Sequence, residues 1–331
     1  MSRFDDCPKS INVSLPTDET GMVGRECPVE ECKGYFKLEV GTGLEGEGLP
    51  CHCPYCGHAD EPTEFTTQEQ IEYAKSVAFR QISSHLTQQL KKLEFNQKPR
   101  GAFGIGISMS VKEGPKPPLR YYREKQLETE VVCDGCTLRY AVYGVFAYCP
   151  DCHAHNSSQI LAKNLDLAVK ELELAAQLQD PAMKEHLEAD ALENVVSAFD
   201  GFGRELCRVH AGKAGDPTQA GGMSFQNLAG ADKRLKAQFG IDWSAMFPPD
   251  DWSLAIRCFQ KRHLLAHNVG VVDQKYLDTS GDKGAMLGRK VKISADEVHR
   301  LVLVVRAFGA MLTTELAALP SKTQPTSRPS P

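Results

Sequence analysis

The sequence predicts a multidomain chain in which two small β zinc ribbons precede an all-α antiparallel helical bundle. Three observations point there. Eight of the 12 cysteines fall into two groups with metal-ligand spacing. Beyond residue 157, apolar residues recur at steps of three and four, the period of amphipathic helices. Proline, glycine and capping residues stand at the joints between these stretches.

The first cysteine group is Cys27-x4-Cys32, twenty residues, then Cys53-x2-Cys56. The second is Cys133-x2-Cys136, twelve residues, then Cys149-x2-Cys152. Each close pair can present two thiolates from a tight turn, and two such turns complete a tetrahedral Zn²⁺ shell. Cys27-Pro28, Cys53-Pro54-Tyr55-Cys56-Gly57 and Cys149-Pro150-Asp151-Cys152 have the turn chemistry of zinc-ribbon knuckles, with short strands expected over 35–40 and 138–143. At the first site Cys51 competes with Cys53, and His52 and His58 are further donors; the x2 spacing favours Cys53. A redox-active reading needs a thioredoxin-like strand-helix setting, which the sequence lacks. Four thiolates leave no open position, so both zincs are expected to be structural and catalysis is expected to need no metal. Cys7, Cys207 and Cys258 read as unpaired, the last two as buried apolar residues of helices.

Length and composition suit a soluble globular protein: 331 residues, 41% hydrophobic and 24% charged. No apolar run reads as a membrane span and Met1 to Asp6 does not read as a signal peptide. A cytoplasmic chain without a membrane partner is expected, where thiols stay reduced. Charge is unevenly spread. Residues 1–66 carry 5 basic and 13 acidic side chains, which argues against that ribbon gripping a phosphate backbone, as a transcription-type DNA binder would. It suits a simply structural ribbon, or a protein partner or trigger docking on the ribbons. A basic excess lies in Lys91, Lys92, Lys98, Arg100, Lys112, Lys116, Arg120, Arg123 and Lys125. Phe95, Phe103, Tyr121 and Tyr122 are interleaved and could stack bases; a solvated loop and strand edge is the equal alternative.

In order, the chain divides into a first ribbon over 1–66 and a basic helix-and-strand connecting region over 67–130. A second ribbon over 131–157 and a connecting helix over 158–180 follow. A helical domain over 181–318 and a disordered, proline-rich tail over 319–331 complete it. A capping-box-like start at Thr67 opens a helix to about 93, and 121–132 reads as a strand. Gly101 to Gly106 does not fit a phosphate-binding G-x-G-x-x-G and reads as loop or strand. Ser157 or Ser158 can cap the connecting helix. Asp180-Pro181 ends it and starts the next, which carries Leu187, Ala191, Leu192, Val195, Phe199, Phe202, Leu206 and Val209. A Gly/Ala-rich loop over 211–222, a short helix over 224–238, a helix from about 250 and a last helix capped by Ser294 complete the bundle.

The helix from 250 ends in Arg262-His263-Leu264-Leu265-Ala266-His267-Asn268. Trp252, Ala255, Ile256, Phe259, His263 and Ala266 form one expected apolar stripe, so the histidines read either as core residues or as a catalytic pair. Arg262 and His267 lie five residues apart, about 140° around a helix, and could meet through side-chain length, unwinding of the helix end, or a two-fold axis. This string, with Gly270-Val271-Val272-Asp273-Gln274-Lys275-Tyr276-Leu277 after it and Phe225-Gln226-Asn227-Leu228 upstream, resembles the HEPN family over roughly 182–318. Arg262, His263 and His267 match that family's arginine, polar residue and histidine.

The resemblance implies an HEPN-like bundle forming a homodimer and acting on an RNA substrate as a metal-independent endoribonuclease that leaves a 2′,3′-cyclic phosphate. Arg262 would hold the scissile phosphate, His267 would move protons, and His263 and Asn268 would orient these groups. A toxin or antiphage defence effector is the setting it implies. No acidic helper residue on an earlier helix is identified. The other reading is a non-catalytic zinc-ribbon and HEPN-like adaptor or nucleic-acid-binding protein, favoured by the balanced charge of 181–318, 17 basic against 17 acidic.

Overall fold

The computed structural model describes residues 10–46, 48–97 and 107–320. Its contacts divide the chain into two compact units, 1–154 and 155–331. Cys7, Lys98, Arg100, the glycine-rich 101–106 stretch with Phe103, and the expected tail beyond 320 lie outside the described residues.

In the first unit, strands β1 (Met22–Glu26) and β2 (Tyr35–Glu39) form one hairpin, and β7 (Thr129–Val132) and β8 (Arg139–Val142) another. The hairpins join edge to edge in a four-stranded antiparallel sheet of order β1-β2-β8-β7. Lys37 pairs with Ala141 across the join. Each is the fifth residue after its hairpin's second cysteine (Cys32 or Cys136), so equivalent positions meet and the ribbons are related by an approximate two-fold. A second tie repeats the relation: His52 N–H donates to Pro150 O (2.7 Å) and Tyr148 N–H to Pro54 O (2.9 Å). Phe36, Phe65, Val131, Leu138, Tyr140 and Val142 are buried with cysteines of both groups in one continuous core. The ribbons are therefore two halves of one folded body. The short pair β3 (Cys51–His52) and β4 (Ala59–Asp60) frames the second turn of the first half.

Helix α1 (Gln68–Lys91) leaves this core under a full capping box between Thr67 and Gln70. Gln70 Nε2 donates to Gly24 O (2.8 Å), fixing the helix start to β1. A small hairpin of β5 (Phe95–Gln97) and β6 (Ile107–Met109) follows. The strand expected over 121–132 is shorter, and only 129–132 is extended ladder. Upstream, Arg120 N–H donates to Ser76 Oγ, and Tyr121 and Tyr122 pack around Tyr73, so the segment lines α1 instead of a strand neighbour. The basic stretch is partly neutralised here. Lys91 pairs with Glu113, Arg120 with Glu72, and Lys125 lies over the Tyr35 ring.

The second unit is helical. Its helices are α2 (Ser157–Gln177), α3 (Pro181–Val209), α4 (Pro217–Gly221), α5 (Leu228–Phe239), α6 (Pro249–Asn268), α7 (Gln274–Ser280) and α8 (Ala295–Ala318). The expected connecting helix belongs to the bundle. Leu161, Leu165, Ala168 and Leu172 of α2 are buried in the same core as α3 and α8. Ser157 is the first residue of α2, not its cap, and Asn156 precedes it. α5 starts later than 224 because the Asn227 side chain caps Gly230 N–H, while Phe225 is fully buried. Among the described residues, α8 alone is long and apolar enough by composition to cross a membrane. Its apolar side chains, Leu301, Val305, Phe308, Leu312 and Leu316, are instead buried against the other helices.

Trp243, between α5 and α6, sits at the centre of this core. The rings of Phe199, Phe225, Trp252 and Phe308 lie 4.9–6.0 Å from it. Gly203 of α3 makes room for Phe225: a methyl group there would come within 2.5 Å of that ring. Helix propensity alone makes Gly203→Ala stabilising by about 1 kcal/mol. The clash reverses the sign, and a loss of about 1–3 kcal/mol is expected, measured as a lower unfolding midpoint by tryptophan fluorescence.

Candidate metal centres and candidate active site

One backbone device is used four times in the first unit. The residue after each second cysteine is left-handed: Lys33 (φ 45°), Gly57 (74°), Thr137 (66°) and His153 (58°). Each N–H donates four residues back, to Val29, Cys53, Cys133 and Cys149 carbonyls. Each turn then closes where the first cysteine's N–H reaches the residue two beyond the second, at Gly34, His58, Leu138 and Ala154. Three of the four left-handed positions are not glycine, and each such residue costs about 1–3 kcal/mol in isolation. The turn holds them because it aims two sulfurs at one point.

The sulfurs of Cys27, Cys32, Cys53 and Cys56 converge within 4.8 Å of one another, as do those of Cys133, Cys136, Cys149 and Cys152. Cys27–Cys56 and Cys32–Cys53 separations are 3.7 Å, and Cys133–Cys152 and Cys136–Cys149 are 3.5 Å. A tetrahedral ion with bonds of about 2.3 Å requires sulfurs about 3.8 Å apart, whereas a disulfide needs about 2.05 Å. The spacing is thus compatible with two closed zinc sites. Tyr55 N–H points at Cys53 Sγ (3.5 Å), giving the thiolate a donor.

The competing donors lie elsewhere. Cys51 is a buried strand residue opposite Asp60, outside the cluster. His52 directs Nδ1 at Pro150 O, and His58 faces Asp60. Cys207 and Cys258 are free and fully buried.

The candidate active site lies at the end of α6. The helix is continuous through Asn268, so unwinding does not bring Arg262 and His267 together. The buried face is rotated from the expected stripe. Leu254, Ala255, Cys258, Phe259, Lys261 and Leu264 are buried, while His263, Ala266 and His267 are exposed. Lys261 explains part of the rotation: its Nζ bonds Glu297 Oε2 (2.6 Å) and Lys292 O (2.7 Å) from the interior. Glu297 also takes Arg257 Nε (3.0 Å), so its carboxylate turns to α6 instead of completing a capping box on α8.

Arg262 differs from these neighbours. Its Nε is buried without a hydrogen-bond partner, and among the described residues no carboxylate pairs with it. His263 and His267 rings lie 4.6 Å apart. Partial burial lowers the His263 proton affinity, and the nearby charges of His267, Lys275 and Arg262 lower it further against the pull of Asp273. Asn268 acts on the backbone: its Nδ2 donates to Val271 O (2.8 Å), closing the turn after the helix. Val269 ends α6 in the left-handed conformation (φ 50°) although β-branched, and Gly270 follows at φ 75°. Val272 and Gly270 bond with residues 288–291, so the strained end is held by a second strip of backbone.

On one side, Leu265, Val269 and Lys290 face the first half of α3 across a groove of about 350 Å³. The α3 wall presents Glu185, His186, Asp190 and Glu193, an acidic surface. The Phe225-Gln226 segment is structural. Asp200 accepts Phe225 N–H (2.6 Å), Gln226 Nε2 (3.2 Å), Ser224 Oγ and Arg204.

Glu205 on α3 is buried and engaged by Arg208 (2.6 and 2.7 Å) and His155 (3.0 Å), so it offers no free carboxylate. Burial raises its proton affinity, but the Arg208 and His155 bonds outweigh that and bring it down to about 2. Such a depressed carboxylate stabilises the fold above its unfolded value near 4.3, and the gain is lost as pH falls toward 2. Between pH 5 and 2 the helical unit should lose about 3 kcal/mol through this group. Glu205→Gln should be less stable at pH 7 and show a flatter acid limb in denaturant titrations.

Substitution Cys149→Ser tests the metal centres. Losing one sulfur should release metal and unfold residues 1–154, whose own core is small, as read by proteolysis and metal content. Both tryptophans, Trp243 and Trp252, lie in the other unit, so its fluorescence transition should stay within about 0.5 kcal/mol of wild type. No family model, no curated protein and no solved structure matches this chain.

Proposed function

We propose that the chain is a metal-independent endoribonuclease of HEPN type whose tetracysteine clusters hold structural Zn²⁺. The observation that carries the reading is Arg262: a buried guanidinium nitrogen without an acceptor, one residue from an exposed histidine pair, on a helix whose other inward cations are paired to Glu297. An unmet buried donor costs about 1–3 kcal/mol, and a phosphate oxygen would satisfy it. His267, exposed on the next turn, offers solvent-accessible ring nitrogens that can carry a proton.

The chemistry would be an in-line transesterification. The ribose 2′-oxygen loses its proton and attacks the adjacent phosphorus, and the bond to the 5′-oxygen breaks as that oxygen gains a proton. A 2′,3′-cyclic phosphate and a 5′-hydroxyl result. His267 would serve as the proton carrier and Arg262 would stabilise charge on the phosphoryl oxygens. Because the two point about 140° apart on one helix, the reading needs a homodimer through the helical unit, pairing Arg262 of one copy with His267 of the other. DNA, lacking the 2′-hydroxyl, would not react. A toxin or antiphage effector fits an enzyme of this kind, with the ribbons docking a trigger.

The acidic groove on α3 favours a second reading, a zinc-ribbon adaptor that binds protein and cleaves nothing. Cleavage of end-labelled RNA in EDTA, with bound zinc and folding verified, separates the two. Arg262→Ala and His267→Ala should each slow cleavage at least about 100-fold, and an all-deoxy substrate should stay intact. Cleavage that survives both substitutions would remove the site assignment; no cleavage of any RNA would favour the adaptor.

A further inference from the structure

His263 and His267 stand on successive turns of α6 with ring centres 4.6 Å apart and planes inclined at 52°. A metal–imidazole bond of about 2.0–2.1 Å puts the ion about 3.2 Å from each ring centre. Two rings bound at near-right to tetrahedral angles then have centres about 4.5–5.2 Å apart, and the observed separation falls at the near-right-angle end of that interval, as in a hydrated six-coordinate ion. The helix is regular through both residues and both side chains are exposed, so a hydrated ion can approach without a change of backbone.

We infer that His263 and His267 form a bidentate site for a borderline divalent transition ion such as Zn²⁺, separate from the tetracysteine centres. Imidazole nitrogen suits Zn²⁺, Ni²⁺ and Cu²⁺ and ligates in its neutral form. Asp273, which caps α7, supplies a negative charge nearby, while Lys275 and Arg262 oppose a cation. Two protein ligands leave the remaining positions to water, so this site binds far more weakly than four thiolates and exchanges its ion. One consequence rests on the nuclease reading: an ion held here occupies the imidazole needed for proton transfer. Zn²⁺ would then inhibit a reaction that uses no metal.

Equilibrium dialysis of the full chain, with its tetracysteine sites already zinc-loaded, against graded free Zn²⁺ tests the site. A third equivalent is expected, weakened at least tenfold in His263→Ala and in His267→Ala, with the first two retained. No third equivalent, or one that survives both substitutions, overturns the site. Cleavage assayed along the same zinc series should fall as the third equivalent binds. Absence of cleavage even in EDTA would count against the nuclease reading and leave the dialysis result to decide the metal site.

Discussion

The first unit depends on one constraint: four sulfurs must be brought to less than 4.8 Å of one another, twice. Thiolates at that distance repel, and only a cation between them makes the arrangement favourable. The left-handed residue after each second cysteine, the backbone bond four residues back and the closing bond beyond the turn all follow from that demand. So does the small core, in which Phe36, Phe65 and Tyr140 fill the space that the two centres leave. Zinc held at both clusters would do what a larger apolar interior does elsewhere.

The helical unit rests on a different balance. Its interior is rich in aromatic rings around Trp243, and its joints are made by buried carboxylates. Asp200 holds the segment before α5, Glu297 ties α6 to α8 through Lys261 and Arg257, and Glu205 binds Arg208 and His155. Among the described residues three buried side-chain nitrogens lack an acceptor, Arg25 Nε, Trp243 Nε1 and Arg262 Nε, and of these only Arg262 adjoins the exposed histidine pair. The same contrast separates the ends of α6: the middle is locked from inside, and the last turn is exposed and stopped by a strained valine.

Much of this architecture is legible in the residues. The eight cysteines singled out by spacing are the ones whose sulfurs converge, because a knuckle is a local turn whose geometry depends on adjacent residues. Asp180-Pro181 and Thr67 announce helix starts for the same reason. The join of the two hairpins is not legible, since β2 and β8 lie about a hundred residues apart and no local pattern records their register. The buried face of α6 differs from the expected stripe by a fraction of a turn. Lys261 reads as a surface residue but is drawn inward by Glu297, and that contact is visible only once α8 is in place. The exposure of His263 and His267 follows from that rotation. Residue types alone therefore name the candidate active site, while its solvent access and the lone Arg262 Nε come only from the fold.

The approximate two-fold of the ribbon body gives its two candidate metal centres one scaffold. Both clusters contribute cysteines to one core and both hairpins share one sheet, so neither centre has a private scaffold to keep its ligands in position. If both clusters hold zinc, the two occupancies would be linked through the folding of that shared core. Loss of an ion from one cluster would then loosen the sheet and core that hold the ligands of the other.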